Sequence, residues 1–292
     1  MHILITGGTG LIGSALCKAL LAEGHRLTVL TRSQRRDGEG LRFITEFSQC
    51  KDPVDAVINL AGAGLADRRW TPAYKREIRA SRVDLTDDLV AWMSEQKTPP
   101  KRLISGSAIG FYGADAQATF TEEAAFGAGF SAELCHAWEA AAAAAVHAGI
   151  EVTCLRLGVV LAREGGALGK MTQSFRLGME TWLGAGDQWF SWVHLEDVVR
   201  VISFALTAPS VSPVYNTVAP EPVRHRQFAR EVGARSFTLL RAGVPAFVAR
   251  LLAGEMADEL LLSGQHVVPA QLTHEGFTFR FPTLAEALSD LL

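Results

Sequence analysis

With 292 residues, 48% of them hydrophobic and 20% charged, the chain can bury a large core and needs neither a metal nor a disulfide to hold it. A formal net charge of −3, with the arginines scattered through helices and loops, gives no basic field and excludes a nucleic-acid binder. Cys17, Cys50, Cys135 and Cys154 form no Cys-x-x-Cys pair, and no charged-then-apolar leader or long apolar span is present. A cytoplasmic setting without membrane contact is therefore expected.

The first element is an apolar strand, His2-Ile3-Leu4-Ile5-Thr6, running straight into Gly7-Gly8-Thr9-Gly10-Leu11-Ile12-Gly13. A helix is predicted over Leu11 to Glu23 from apolar residues at Leu11, Ile12, Ala15, Leu16, Ala19 and Leu20. Glycine suits this turn because the chain must bend sharply with φ values that Cβ forbids, and because a diphosphate reaches backbone N–H groups only where no side chain intervenes. The positive N-terminal end of the helix adds to the cradle. The Gly-x-x-Gly-x-x-Gly spacing alone is weak, since such triplets also occur in surface turns. The strand before it and the helix after it raise it to a dinucleotide site, with Gly7, Thr9, Gly10, Leu11, Ile12 and Gly13 as the candidate contacts.

Gly24-His25 closes the helix, and Arg26-Leu27-Thr28-Val29-Leu30-Thr31 reads as a second parallel strand. Its end decides which dinucleotide is held. A free ribose 2′-hydroxyl is usually met there by Asp or Glu, whereas a 2′-phosphate needs cations and is repelled by a carboxylate. The chain has Thr31-Arg32-Ser33 at this point, with Arg35 and Arg36 close behind. Arg32 can stack on the adenine or fork onto the phosphate, and Ser33 offers a hydroxyl, so NADP(H) is favoured over NAD(H). For Arg35 and Arg36 a solvated loop is an equal reading.

Leu41 to Ile44 makes a weak third strand and Asp55 to Leu60 a strong fourth, ending in Ala61-Gly62. Small residues here let adenosine and ribose lie against the backbone, so Asn59, Leu60, Ala61 and Gly62 are expected to wall the cofactor. A long helix is predicted from Thr71-Pro72 to about Glu95, with proline suited to its first turn. Pro99-Pro100 stops it, and Arg102 to Ser107 forms the fifth strand, with Ser105 near its end. A second long helix near Ser131 to His147, containing the alanine run Ala140 to Ala145, leads through Gly149 to a sixth strand, Glu151 to Leu157.

Strands alternating with helices of this length predict an α/β fold, a Rossmann-type doubly wound parallel sheet covered on both faces. Ligands on such sheets sit at the carboxyl ends of the strands. Gly7 to Gly13, Arg32, Asn59 to Gly62, Ser105 to Tyr112, and Arg156 to Val160 with Gly158 all fall on that edge. Beyond 158 glycine-interrupted stretches surround Trp182, Trp189, Phe190 and Trp192, which either wall a pocket or pack the two lobes, packing being favoured. Helices follow at His225 to Val232, Pro245 to Ala253 and Met256 to Ser263. The division is therefore 1–208 for the dinucleotide domain, with lobe excursions from about 159 to 192, and 209–292 for a smaller, mostly helical C-terminal part.

The chain resembles the extended or atypical branch of the short-chain dehydrogenase/reductase superfamily. The resemblance rests on Thr6-Gly7-Gly8-Thr9-Gly10-Leu11-Ile12-Gly13, Asn59-Leu60-Ala61-Gly62, Ser107 followed by Tyr112-Gly113, Arg156-Leu157-Gly158-Val159 and Trp192-Val193-His194-Leu195-Glu196-Asp197-Val198. It is closer still to YfcH-type epimerase-family proteins, through Tyr215-Asn216-Thr217-Val218-Ala219-Pro220-Glu221-Pro222-Val223, Gly254-Glu255-Met256-Ala257 and Leu262 to Pro269. The superfamily resemblance implies a Ser or Thr that holds the substrate oxygen, a Tyr acting as acid or base, and a Lys four residues later whose charge lowers the tyrosine pKa from about 10.

Ser107 fits the first role. Where Tyr-x-x-x-Lys should open the following helix, the chain reads Cys135-His136-Ala137-Trp138-Glu139, so ordinary Tyr/Lys catalysis is excluded. Glu139 would raise the pKa of a Cys135 thiol that starts near 8.5, making it a poor base. Tyr112, Glu139 and His194 are the conceivable replacements, His194 having by resemblance a helix-capping role with Asp197. Relatives imply a substrate-diphosphate clamp among Arg156, Arg163, Lys170 and Arg176, although each is equally explained as a solvated side chain. They also imply a homodimer through the helices at 72–95 and 131–148, although the alanine face packs equally well on its own sheet.

Two functions are carried forward: an NADP(H)-dependent oxidoreductase or epimerase acting on a small polar substrate, and an NADP(H)-binding regulatory or sensing protein with little or no turnover.

Overall fold

The computed structural model describes residues 1–292. Its strands run β1 (His2–Thr6), β2 (Arg26–Leu30), β3 (Leu41–Ile44), β4 (Ala56–Asn59), β5 (Arg102–Ala108), β6 (Asp115–Phe120), β7 (Glu151–Leu157), β8 (Val159–Leu161), β9 (Met179–Leu183), β10 (Trp189–Phe190), β11 (Trp192–His194) and β12 (Val214–Thr217). Seven of them form one parallel sheet in the order β12-β7-β5-β4-β1-β2-β3. The chain winds outward from β1 in one direction, then returns to β4 and winds in the other. The crevice at that reversal, beyond the carboxyl ends of β1 and β4, is where this topology binds ligands.

Both faces of the sheet are covered, which is why β1 is apolar throughout rather than alternating with polar residues. Ile3 and Ile5 point to one face and pack with Leu16 and Leu20 of helix α1 (Leu11–Ala22) and with residues 198–206; Leu4 points to the other, with Val57 and Leu103. On that second face lie α2 (Pro72–Arg79), α3 (Leu85–Ser94) and α4 (Phe130–Ala143). Thr71 caps α2 by accepting from the Tyr74 N–H at 3.1 Å, with Pro72 in the first turn as predicted.

The long helix expected over 72–95 runs without a break over 72–94, its hydrogen bonding widening to a π-type turn at Ala80–Asp84 between α2 and α3. The alanine run is helical to Ala143 and tightens over Ala144–Ala148 before Gly149, whose φ of +75° ends it. Ala142 and Ala145 are fully buried against the sheet and α3, so that alanine face packs within the chain.

The boundary at 208/209 needs correcting, because β12 lies beyond it and hydrogen-bonds β7 along the sheet's outer edge. Tyr215 of β12 is fully buried in the main core. The remaining elements include three short strands, β13 (Val223–Arg224), β14 (Leu240–Val244) and β15 (Gln265–Val267), and the helices α5 (Gly166–Met171), α6 (Leu195–Thr207), α7 (His225–Ala234), α8 (Ala246–Ala253), α9 (Ala270–His274) and α10 (Leu284–Leu291). Helices α7 and α10 pack with Phe175, Phe190 and Trp192 of the 159–192 excursion, so the smaller lobe is built from both segments. Trp192 is fully buried there, as the packing reading expects.

Candidate active site

The glycine turn is fixed by steric necessity. Gly7 has φ +69°, and a Cβ on it would lie 2.5 Å from the Leu60 carbonyl carbon. A Cβ on Gly13 would lie 2.2 Å from the Gly7 oxygen, so this glycine lets α1 approach the turn. Gly10 opens α1 with no side-chain cap, leaving the first helical N–H groups beside exposed Thr9 and Gly10. Uncapped amides at the positive end of a twelve-residue helix, in a cradle that any Cβ would fill, fit a diphosphate.

Leu60, Ala61 and Gly62 form the wall opposite, Gly62 being exposed. Asn59 and Ser105 do not join it as side chains, contrary to expectation. Asn59 is 1% exposed; its Oδ1 accepts from Thr6 Oγ1 at 2.6 Å, and its Nδ2 donates to Thr86 Oγ1 at 2.8 Å and Ser105 Oγ at 3.2 Å. The Ala61 N–H donates to Thr6 Oγ1 at 3.2 Å. This sealed network holds the wall's backbone in place, and a polar residue at the end of a doubly covered strand must be satisfied in this way.

At the end of β2, Arg32 to Arg36 are exposed, and Arg32, Arg35 and Arg36 take part in no ion pair. Thr31 shapes the turn, its Oγ1 donating to the Ser33 carbonyl at 3.0 Å and accepting the Ser33 N–H at 3.3 Å. The nearest acid, Asp37, is held by the Phe43 N–H at 2.8 Å. A cleft of about 230 Å³ opens beside them, lined by Thr31, Gln34, Arg35, Thr45 and Gln49 among others.

The four candidate catalytic side chains gather at the ends of β5 and β7. Glu139 on α4 faces Arg156 on β7 in a two-point ion pair, with Nε to Oε1 and Nη2 to Oε2 both at 2.8 Å. Ser107 donates to Glu139 Oε1 at 2.6 Å. Tyr112 donates to Asn216 Oδ1 at 2.6 Å and accepts from Arg156 Nη1 at 2.9 Å; burial pushes its pKa up while Arg156 pulls it back. Cys135, one turn before Glu139, is sealed, and burial with the Glu139 charge pushes its thiol up to about 11. It is therefore a thiol and not a thiolate.

Arg156 is 4% exposed and lies 3.4 Å over the Phe111 ring, which corrects its reading as a solvated side chain. Its donors are spent on Glu139, Tyr112 and the Glu122 carbonyl. Of the other suggested clamp residues, Arg163 reaches the Asp290 carbonyl and Lys170 the Asp67 carboxylate at 3.3 Å, while Arg176 is exposed. Gly158 packs beneath this edge, where a Cβ would lie 2.8 Å from the Ser191 carbonyl oxygen. His194 accepts the Glu196 N–H at 3.1 Å, and Asp197 accepts from the backbone of Arg280 and Phe281, so both are structural.

Two residues near this edge carry no local sequence signal. Glu259, in the C-terminal part, accepts the N–H groups of Phe130 at 2.9 Å and Ser131 at 2.8 Å and so caps α4. Arg82, on the widened turn, lies against Gly62 and over the Trp138 ring at 5.3 Å.

Parallel sheet, glycine cradle and reversal-point crevice define a Rossmann-type dinucleotide-binding protein. The model of the NAD dependent epimerase/dehydratase family matches residues 3–218, and that of a domain of unknown function, DUF1731, matches 244–291. The chain belongs to the NAD dependent epimerase/dehydratase family. An epimerase family protein of Mycobacterium leprae is 38% identical over 98% of this chain and 94% of its own length. The human epimerase family protein SDR39U1 is 33% identical over 100% of both chains. A crystal structure of that human protein (isoform 2) with NADPH superposes with a TM-score of 0.91 at 32% identity, covering 100% of this chain and 99% of that one. A nucleoside-diphosphate sugar epimerase from Corynebacterium glutamicum gives a TM-score of 0.81 at 31% identity, covering 99% of this chain and 57% of its own. No helix is long and apolar enough to cross a membrane.

Proposed function

We propose that the protein binds NADP(H) in this crevice and acts as an oxidoreductase or epimerase on a small polar substrate without a Tyr-x-x-x-Lys pair. The carrying observation is the free guanidinium cluster at the end of β2, beside a glycine cradle whose uncapped helix amides suit a diphosphate. The NADPH found in the human relative's crystal structure supports the same reading. Gly7, Gly10, Leu11, Ile12 and Gly13 would hold the diphosphate, Leu60 to Gly62 the adenosine side, and Arg32 with Ser33 the 2′-phosphate. Bound there, the dinucleotide supplies a hydride donor or acceptor.

The proton-handling pair in this reading is Ser107 and Glu139. Arg156 pairs with Glu139, and Glu139 Oε1 accepts the hydrogen bond that the Ser107 hydroxyl donates. Ser107 Oγ is thereby turned to accept from a substrate hydroxyl, and a proton gained there passes on to Glu139 Oε1.

A second reading, an NADP(H)-binding regulatory or sensing protein, is favoured by one observation. Ser107, Tyr112 and Cys135 are 2%, 3% and 4% exposed, which leaves little surface for a substrate to touch. Assaying NADPH consumption against sugar nucleotides, ketones and quinones separates the two. Turnover that Ser107→Ala lowers by about a hundredfold, a usual size for one acid–base group, supports the enzyme. Background rates that the variant does not change support the sensor.

We also propose a homodimer through α2, α3 and α4. Of the large exposed apolar side chains, only Val146 lies on the helical stretches 72–95 and 131–148, so such a contact would be mostly polar.

A further inference from the structure

Two arginines, Arg82 and Arg156, stand near the ligand edge of the sheet on the side of β4, β5 and β7, and Arg156 is closed on Glu139. Arg82 is the exception. Its one hydrogen bond is a long one, from Nη1 to the Ile78 carbonyl at 3.4 Å, and it has no ion-pair partner. A guanidinium carries five N–H donors in a planar fork, so most of this one's capacity is unspent. Burial lowers its pKa, with only Cys135 and Tyr74 acting the other way. Arg82 is half-buried, with the Trp138 ring beneath it and no acid beside it, so an anion arriving at its open donors would be favoured.

Ser81 Oγ accepts the Ala63 N–H at 2.9 Å and donates to the Ile78 carbonyl at 2.9 Å, docking the widened turn on the segment after β4. Arg82 then lies across Gly62, where a Cβ would fall 2.7 Å from its Cζ, and over Trp138. Gly62 is exposed and stands just beyond the Leu60–Ala61 backbone that Gly7 approaches. Because β1 separates β4 from β2, Arg82 stands on the Cys135 and Ser107 side of the crevice, away from Arg32.

We propose that Arg82 is an anion-binding residue of this site, gripping the paired oxygens of a substrate carboxylate or phosphate presented beside Gly62. The planar fork matches two oxygens on one centre, and Trp138 fixes its plane. This rests on the dinucleotide reading above and adds the substrate class, a small anion. The other source of the same chemistry is the cofactor's own diphosphate.

Calorimetry on wild type, Arg82→Met and Arg82→Lys, titrated with NADPH and then with oxalate or inorganic phosphate, decides it. For a substrate anion, Arg82→Met keeps NADPH affinity within about twofold and loses about tenfold or more in oxalate or phosphate affinity, the size of one charge-assisted contact. A loss of that size for NADPH itself places the anion in the cofactor. In either case Arg82→Lys retains part of the affinity, and Arg82→Met melts no lower than wild type because no ion pair is lost. Equal affinities in wild type and Arg82→Met for every probe, or a lowered melting temperature with unchanged binding, would overturn the proposal. If wild type takes up no NADPH, the dinucleotide reading fails, and the anion titration of the same protein still decides Arg82.

Discussion

Glu139 stands where the superfamily resemblance implies a lysine, and it is met by a cation from a different element. Arg156 on β7 closes on it at two points, and Ser107 adds a third contact to the same carboxylate. Both side chains are nearly sealed, at 12% and 5% exposed, so removing one charge strands the other. Glu139→Gln is expected to cost about 3 kcal/mol, because an unpaired buried guanidinium remains. The double change Glu139→Gln with Arg156→Met is expected to cost less than the sum of the two single changes. Urea unfolding of the three variants measures this; strictly additive losses would show that the pair does not interact. At this scale the sequence was partly legible. The missing Tyr and Lys could be seen only against the superfamily resemblance, and Arg156 reads equally as a substrate clamp or a solvated side chain because its partner lies 17 residues upstream on another element.

Elements were legible where periodicity and punctuation coincide. The α1 helix, six of the seven strands of the sheet and the Pro72 start follow from apolar spacing, glycines and proline. The widened turn at Ala80–Asp84 did not follow, since it depends on Ser81 docking on Ala63, a contact no local pattern encodes. The same holds for Asn59 and Ser105, whose strand-end position looks alike whether the side chain faces a ligand or a neighbour. Helix α7 carries a consequence for pH. His225 opens it, packed near Phe190 and Phe228, and burial pushes its pKa down to about 4. The unfolded chain takes a proton at about pH 6.5 and the folded one does not, so this histidine's contribution is complete above pH 6.5 and is lost as pH falls toward 4. The shift corresponds to at most about 3 kcal/mol. Melting temperatures of wild type and His225→Gln measured from pH 7 to 4 should converge as the pH falls; curves that stay parallel would rule this histidine out.

Across the whole molecule, the C-terminal part is tied to the site rather than appended to it. Glu259 caps α4, and Lys75 on α2 pairs with Glu255 at 2.6 Å. The family-model boundary at 218 agrees with the sheet, which ends at Thr217, and the division at 208 failed because a lone short strand after a loop is easily grouped with the helices C-terminal to it. Eight of the twelve large exposed apolar side chains lie between Leu177 and Leu252, on the same lobe. What unites sheet, cradle and arginine cluster is one ligand. Titrating the purified protein calorimetrically with NADPH and with NADH, alongside Arg32→Asp, tests that directly. NADPH should bind wild type at least about tenfold tighter than NADH, and Arg32→Asp should erase or reverse the preference by losing a charge-assisted phosphate contact. No heat with either nucleotide, or an Arg32→Asp protein that keeps the wild-type preference, would contradict the account.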